Sequence, residues 1–206
     1  MPTVVSNTTG LDTALWTADD FLEWLQPGVH ADLIDGEKMM HSPVSLPHAR
    51  LINFLDEFLR RWLRANGVRG ELFREVVAVK LGQRNVFLPD LCWFTEEQAA
   101  GFPRTHAVGP PRWVCEVLSP RTVDRDTGPR FAAYEEHGVE EYWILDPDRL
   151  SHRFYATDGE YLTEFADGEG EIRSRVFDGL VLRRDWLDPK ALPDVDACLR
   201  EAGPKS

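Results

Sequence analysis

The longest periodic stretch runs from about 45 to 66, where Leu51, Ile52, Leu55, Phe58, Leu59, Trp62 and Leu63 recur at helical spacing and Gly67 follows the end. So wide an apolar stripe must cover a sheet. A shorter helix is predicted after Thr17-Ala-Asp-Asp20, with acids in its first turn, Phe21, Leu22 and Leu25 on its apolar face, and Pro27-Gly28 as its stop. Between the two helices, 31–34 and 37–40 flank Asp35-Gly36. That dipeptide tolerates positive φ, so the segment reads as a hairpin closed by a type I′ turn.

Beyond the long helix, 72–81 and 86–94 read as strands joined through Gly82-Gln-Arg-Asn85, and 113–118 as a third strand after a connection rich in Pro and Gly. A second helix is expected over about 127–137, stopped by Gly138, and then a buried strand at 141–146. Segments 151–156, 160–165 and 172–177 suggest a meander with Asp158-Gly159 as its first turn. From 188 the pattern fades, and the tail is expected to be a short helix or a mobile end. The order helix, strand, strand, strand, helix, strand, with a hairpin before it and a meander after it, implies an α/β fold: a mixed sheet flanked by helices. At 206 residues the expectation is one domain over the whole chain, with its core at about 45–147.

Charge narrows the function classes. A formal net charge of -12 opposes non-specific attraction to phosphate and argues against a DNA-coating protein. It leaves room for a nuclease in which a metal ion and a local arginine patch neutralise one phosphate. Arg60, Arg61 and Arg64, with Arg69 and Arg74, read equally as such a patch or as a solvated helix end. Residues 1–10 lack the basic and apolar regions of a signal peptide, and no run approaches a membrane span, so a cytoplasmic location is expected. Cys92, Cys115 and Cys198 have neither disulfide nor zinc spacing and read as small core hydrophobes. Trp62, Trp93, Trp113 and Trp143 fall on periodic apolar positions and read as core.

Two acids change the picture. Asp90 lies in Asn85-Val-Phe-Leu-Pro-Asp90-Leu-Cys-Trp-Phe94, and Glu116 in Arg112-Trp-Val-Cys-Glu116-Val-Leu-Ser-Pro120. An ionised carboxylate within an apolar strand is costly unless a cation or hydrogen-bond network holds it. The pair together suggests a metal site. Taken singly, Asp90 reads as a turn residue after Pro89, and Glu116 as an acid on a solvated strand face.

These pieces, with Leu33-Ile-Asp-Gly36, Ser42-Pro43, His48, Asp126, Arg130, Tyr134 and Gly138-Val-Glu-Glu-Tyr-Trp-Ile-Leu-Asp-Pro147, resemble the bacterial Uma family, described as putative restriction endonucleases of the PD-(D/E)XK nuclease superfamily. The resemblance runs in order from about 17 to 161. It implies a restriction-endonuclease-like fold in which Asp90 and Glu116 bind a divalent ion, Mg²⁺ or Mn²⁺, for which hard oxygen ligands are suited. It implies hydrolysis of DNA phosphodiesters without a covalent enzyme intermediate, and a homodimer that cuts two strands with two symmetry-related sites.

The sequence departs from the superfamily at the lysine expected two residues after the glutamate, where it has Leu118. The Uma pattern Asp-x-x-x-Lys-x-x-x-Tyr maps onto Asp126, Arg130 and Tyr134, spaced to share one helix face, but with arginine in the lysine's place. Arginine keeps its proton and cannot act as a general base, although it can hold a phosphate. The plain alternative is a solvent-facing Asp126–Arg130 ion pair, with Asp126 also capping the helix. His48 reads as a general base, a phosphate contact or a structural histidine. Tyr134 reads as a core aromatic and Glu75 as an exposed strand acid. The leading expectation is a metal-dependent DNA endonuclease using Asp90, Glu116, Arg130 and His48. Its rivals are a catalytically weakened relative that binds nucleic acid or protein, and a hydrolase of smaller phosphate esters.

Overall fold

The computed structural model describes residues 15–74, 77–119, 123–165 and 170–203. The decapeptide at 1–10, Glu75 and Pro120 lie outside them. α1 (Ala18–Trp24) is capped by Thr17, whose side chain accepts the Asp20 N–H. β1 (Ala31–Ile34) and β2 (Glu37–Met40) pair antiparallel, and Asp35 and Gly36 take φ of 51° and 87°, as the type I′ turn requires. α2 (Leu46–Ala65) starts at the Ser45 cap and ends at Asn66. These elements match the hydrophobic pattern closely.

The two apolar runs that follow do not remain single strands. The first supplies β3 (Gly70–Arg74) and β4 (Val79–Lys80), the second β5 (Val86–Phe87) and β6 (Leu91–Thr95). A six-stranded sheet takes β3 and β6, whereas a five-stranded sheet of order β2-β1-β5-β4-β7 takes the short pieces, with β7 at Ala107–Val108. Pro89 explains the second split: it has no N–H for a ladder, and the chain bends there from one sheet to the other. Asp90 therefore sits on the bend before β6, not inside a strand. After β6 come α3 (Glu96–Ala99), capped by a Thr95–Gln98 box, and β8 (Trp113–Val117).

The expected second helix is also divided, into α4 (Val123–Asp126) and α5 (Pro129–His137). Gly128 and Pro129 form the break. Beyond it, β9 (Glu141–Leu145), β10 (Arg153–Thr157) and β11 (Leu162–Glu164) form an antiparallel meander at the sheet's other end, which has the order β11-β10-β9-β8-β6-β3. The third expected meander strand leaves this sheet: β12 (Glu171–Arg173) pairs with β13 (Val181–Arg183) instead. Buried Glu141 holds that segment, accepting from Ser174 Oγ at 2.7 Å and from the Arg175 and Val176 N–H groups at 2.8 Å. The tail forms α6 (Val195–Glu201) against α2, and the Trp62 indole donates to Ala202 O at 2.7 Å.

Strand alternation divides the core in two. Trp113, Cys115, Val117, Trp143 and Leu145 face Leu55, Phe58 and Trp62 of α2, while Val114, Leu118, Tyr142 and Ile144 pack with Ala133 and Tyr134 of α5. The four periodic tryptophans and the three cysteines are buried, the latter as free thiols. Glu116, between Val114 and Leu118, consequently faces α5. Among the described residues no helix is long and apolar enough to cross a membrane.

Candidate active site

The bend before β6 and the C-terminal end of β8 place Asp90 and Glu116 against each other. Asp90 Oδ2 accepts the Val117 N–H at 2.7 Å, and Glu116 Oε2 lies 3.4 Å from the Asp90 N–H, a long contact. From α2, His48 Nε2 reaches Asp90 Oδ1 at 3.2 Å. The ring is set by the helix start, where the His48 N–H meets the Ser45 hydroxyl at 3.3 Å. Asp90, Glu116, His48 and Arg130 line one cleft of about 140 Å³.

Arg130 and Asp126 do form the expected pair, at 3.2 Å, but it is buried: each residue is 1% exposed. The solvent-facing reading is thus overturned, and so is the idea that Asp126 caps the helix, because no side chain caps α5 at Gly128. Instead Asp126 ends α4 and Arg130 opens α5. The Arg130 guanidinium lies 2.5 Å from Glu116 Oε1, which also accepts the Tyr134 hydroxyl at 2.9 Å. Tyr134 is the core aromatic anticipated, with its hydroxyl satisfied inside the site.

Three further residues belong here. Asp32, on β1 and fully buried, accepts the Leu88 N–H at 2.9 Å through Oδ1. Its Oδ2 has His41 Nε2 at 2.9 Å, Arg125 Nη1 at 3.2 Å and Arg130 Nη1 at 3.8 Å. None of the three meets hydrogen-bond geometry, so the two arginines act on Asp32 through charge, and the His41 ring presents Nε2 to it. Arg125 also meets Asp126 at 3.0 Å. Asp32 carried the same signal as Glu116, an acid within an apolar strand, in Ala31-Asp-Leu-Ile34. Arg125 and His41 carried none, since their roles arise only when α4 and the hairpin close on the cleft.

The electrostatics follow from burial and neighbours. Burial pushes the Glu116 carboxyl well above the usual range; Arg130 pulls it back, and Asp90 and Asp126 push it further up. Burial would also raise Asp32, yet Arg130, His41 and Arg125 outweigh it and hold that carboxyl at about 2. Burial disfavours the charge on Arg130, but Asp32 and Glu116 more than compensate and keep it protonated. With all four acids ionised and His41 and His48 neutral, Asp32, Asp90, Glu116 and Asp126 against Arg125 and Arg130 give a formal surplus of two negatives, the charge state that the raised Glu116 carboxyl resists without a cation.

Three of the five arginines named for a patch, Arg60, Arg61 and Arg69, are paired away from the cleft. Arg60 pairs with Asp56 at 2.8 Å, Arg61 with Glu57 and Asp196, and Arg69 with Glu96 at 3.3 Å, all on exposed surface. These three sit as a solvated helix end would have them.

Among solved structures, the chain is similar to a "putative nuclease belonging to DUF820" from Anabaena variabilis ATCC 29413, at 15% identity and a TM-score of 0.64, over 89% of this chain and 97% of that one. At that identity the likeness is one of fold. No curated protein matches. Residues 18–185, spanning both sheets and every residue of the cleft, match the family Uma2, described as "Putative restriction endonuclease". The chain belongs to that family, within the PD-(D/E)XK-like nuclease superfamily.

Proposed function

We propose that this protein is a divalent-metal-dependent DNA endonuclease that hydrolyses phosphodiesters in the cleft of Asp90 and Glu116. The observation that carries the reading is that Asp90 and Glu116 line one cleft within a largely buried cluster whose formal charge, with its acids ionised, is two negatives in excess. One Mg²⁺ or Mn²⁺ would balance it. The donor set fits such an ion: Asp90 and Glu116 offer hard oxygens on one wall of a cleft. Among the described residues no set of three or more acids, His or Cys is arranged to hold an ion, so water and phosphate oxygens would complete the shell. The ion would supply Lewis acidity, making water more acidic and offsetting charge at phosphorus.

The protein's own residues do the rest. Arg130 and Tyr134 fix the Glu116 carboxylate through Oε1, and the Val117 N–H fixes Asp90 through Oδ2, so both acids are oriented before substrate arrives. Arg125, whose side chain keeps 12% exposure at the cleft, is the cation better able to meet a phosphate oxygen. A homodimer in the cytoplasm, cutting both strands with two such sites, completes the proposal.

One observation favours a second reading, a nuclease fold kept as a binding module: Arg130 already neutralises Glu116 at 2.5 Å, where an ion would have to compete. Plasmid nicking with Mn²⁺, run beside Asp90→Ala, separates the two. Nicking by the wild type and none by the variant is the expected result. Silence from both, with plasmid still bound, supports the binding module.

A further inference from the structure

We propose that His41, oriented by Asp32, is the proton-accepting catalytic residue of this cleft. The inference rests on the phosphodiesterase reading above and supplies the group that reading lacks. Arg130 retains its proton, Leu118 stands where a lysine would, and His48 is turned onto Asp90. His41 is turned instead onto Asp32, an acid outside the proposed metal pair.

Its position is fixed at two points. The His41 N–H donates to His30 O at 2.9 Å, continuing the β1–β2 ladder one residue past Met40, and Nε2 lies 2.9 Å from Asp32 Oδ2. Asp32 is itself immobile, fully buried on β1 and tied to the Leu88 N–H. A buried carboxylate beside one ring nitrogen favours the tautomer with its proton on that nitrogen, leaving Nδ1 as the basic atom. The ring lines the same cleft as Asp90, Glu116 and Arg130, and its side chain keeps 15% exposure, so water can reach it. The charged and titratable groups around it are Asp32, with Arg125 and Arg130 on the same Asp32 oxygen, and His48, Asp90 and Glu116, which line the same cleft.

In the step assigned to His41, a water oxygen attacks phosphorus while the water's proton passes to Nδ1. The bond from phosphorus to the leaving sugar oxygen breaks. That oxygen departs with the electron pair and takes a proton from solvent, and His41 later returns its own proton to solvent. General-base assistance of this kind contributes roughly 10²–10⁴-fold.

Single-turnover cleavage of a labelled DNA duplex with Mn²⁺ tests the assignment, using wild type, His41→Ala and His41→Gln, each with and without imidazole. Thermal melting and duplex binding in EDTA serve as controls. His41→Ala should melt and bind as wild type does, cut about 100-fold or more slowly, and recover part of the loss with imidazole; His41→Gln should be slow and unrescued. If the wild type cuts and His41→Ala keeps pace within a few-fold, the assignment falls alone. A loss that imidazole leaves untouched, or that accompanies lost folding or binding, makes His41 structural and also overturns it. A wild type that cuts nothing with either Mg²⁺ or Mn²⁺ removes the endonuclease reading and this assignment together.

Discussion

Arg130 shows how one side chain can be legible and still be misplaced by sequence. Its four-residue spacing from Asp126 predicted contact, and contact there is, but spacing cannot report burial. In the fold it is the main cation for Asp32, Glu116 and Asp126 at once. Arg130→Ala should therefore leave Glu116 without its guanidinium and Asp32 and Asp126 with Arg125 alone, and cost about 3–5 kcal/mol, read by urea denaturation. Arg130→Lys, a single compact charge without the planar fork, should recover only part of that. A loss under about 1 kcal/mol for the alanine variant would return the pair to the surface class. Asp90 and Glu116 were legible because acids in apolar runs are costly and so stand out. Asp32 sends the same signal from β1, whereas His41 and Arg125 become neighbours of the site only through tertiary closure.

At the scale of elements, the boundaries were readable wherever a local device sets them: the acidic first turn after Thr17, Asp35-Gly36 as a turn, Gly138 at the end of α5 with φ of 83°. The misreadings are runs whose pattern is continuous but whose path is not. An apolar strand that crosses from one sheet to another at Pro89 looks, residue by residue, like a longer strand in one sheet. The junction of α4 and α5 is the same problem in helical form, and it matters more, because it sets Asp126 against Arg130. There a Cβ on Gly128 would lie 2.6 Å from Asp124 O, a backbone atom that cannot swing aside. Gly128→Ala should shift the junction and cost about 1–3 kcal/mol, while slowing any cleavage through the displaced Asp126–Arg130 pair. Unchanged stability in a denaturant titration would mean that the junction relaxes freely.

For the whole molecule, the fold buries ionisable groups on both sides of the main sheet, and its response to acid is the sum of their opposing preferences. His152, where β10 begins, is held neutral: burial, then the charge of Arg184, pushes it from an ordinary 6.5 down to about 4, and its Nδ1 accepts the Asp146 N–H at 3.2 Å. Above pH 6.5 neither folded nor unfolded chain protonates it. As pH falls from 6.5 to 4 the unfolded chain takes up a proton that the folded chain refuses, so stability drops, by up to about 3 kcal/mol. Glu116 acts the other way, since its raised carboxyl protonates first in the folded state and adds stability as pH falls toward 4.5. Asp32 enters last: its contribution, full above 3.8, is lost as pH falls toward about 2. The net curve mixes the three, but a difference curve isolates one. His152→Asn keeps an acceptor and removes the titration, so the stability of wild type minus that of the variant should decline by about 3 kcal/mol between pH 6.5 and 4 and stay level from 6.5 to 8. A flat difference across the lower window would show that His152 protonates as readily in the folded chain as in the unfolded one, and that the acid response belongs to the cleft alone.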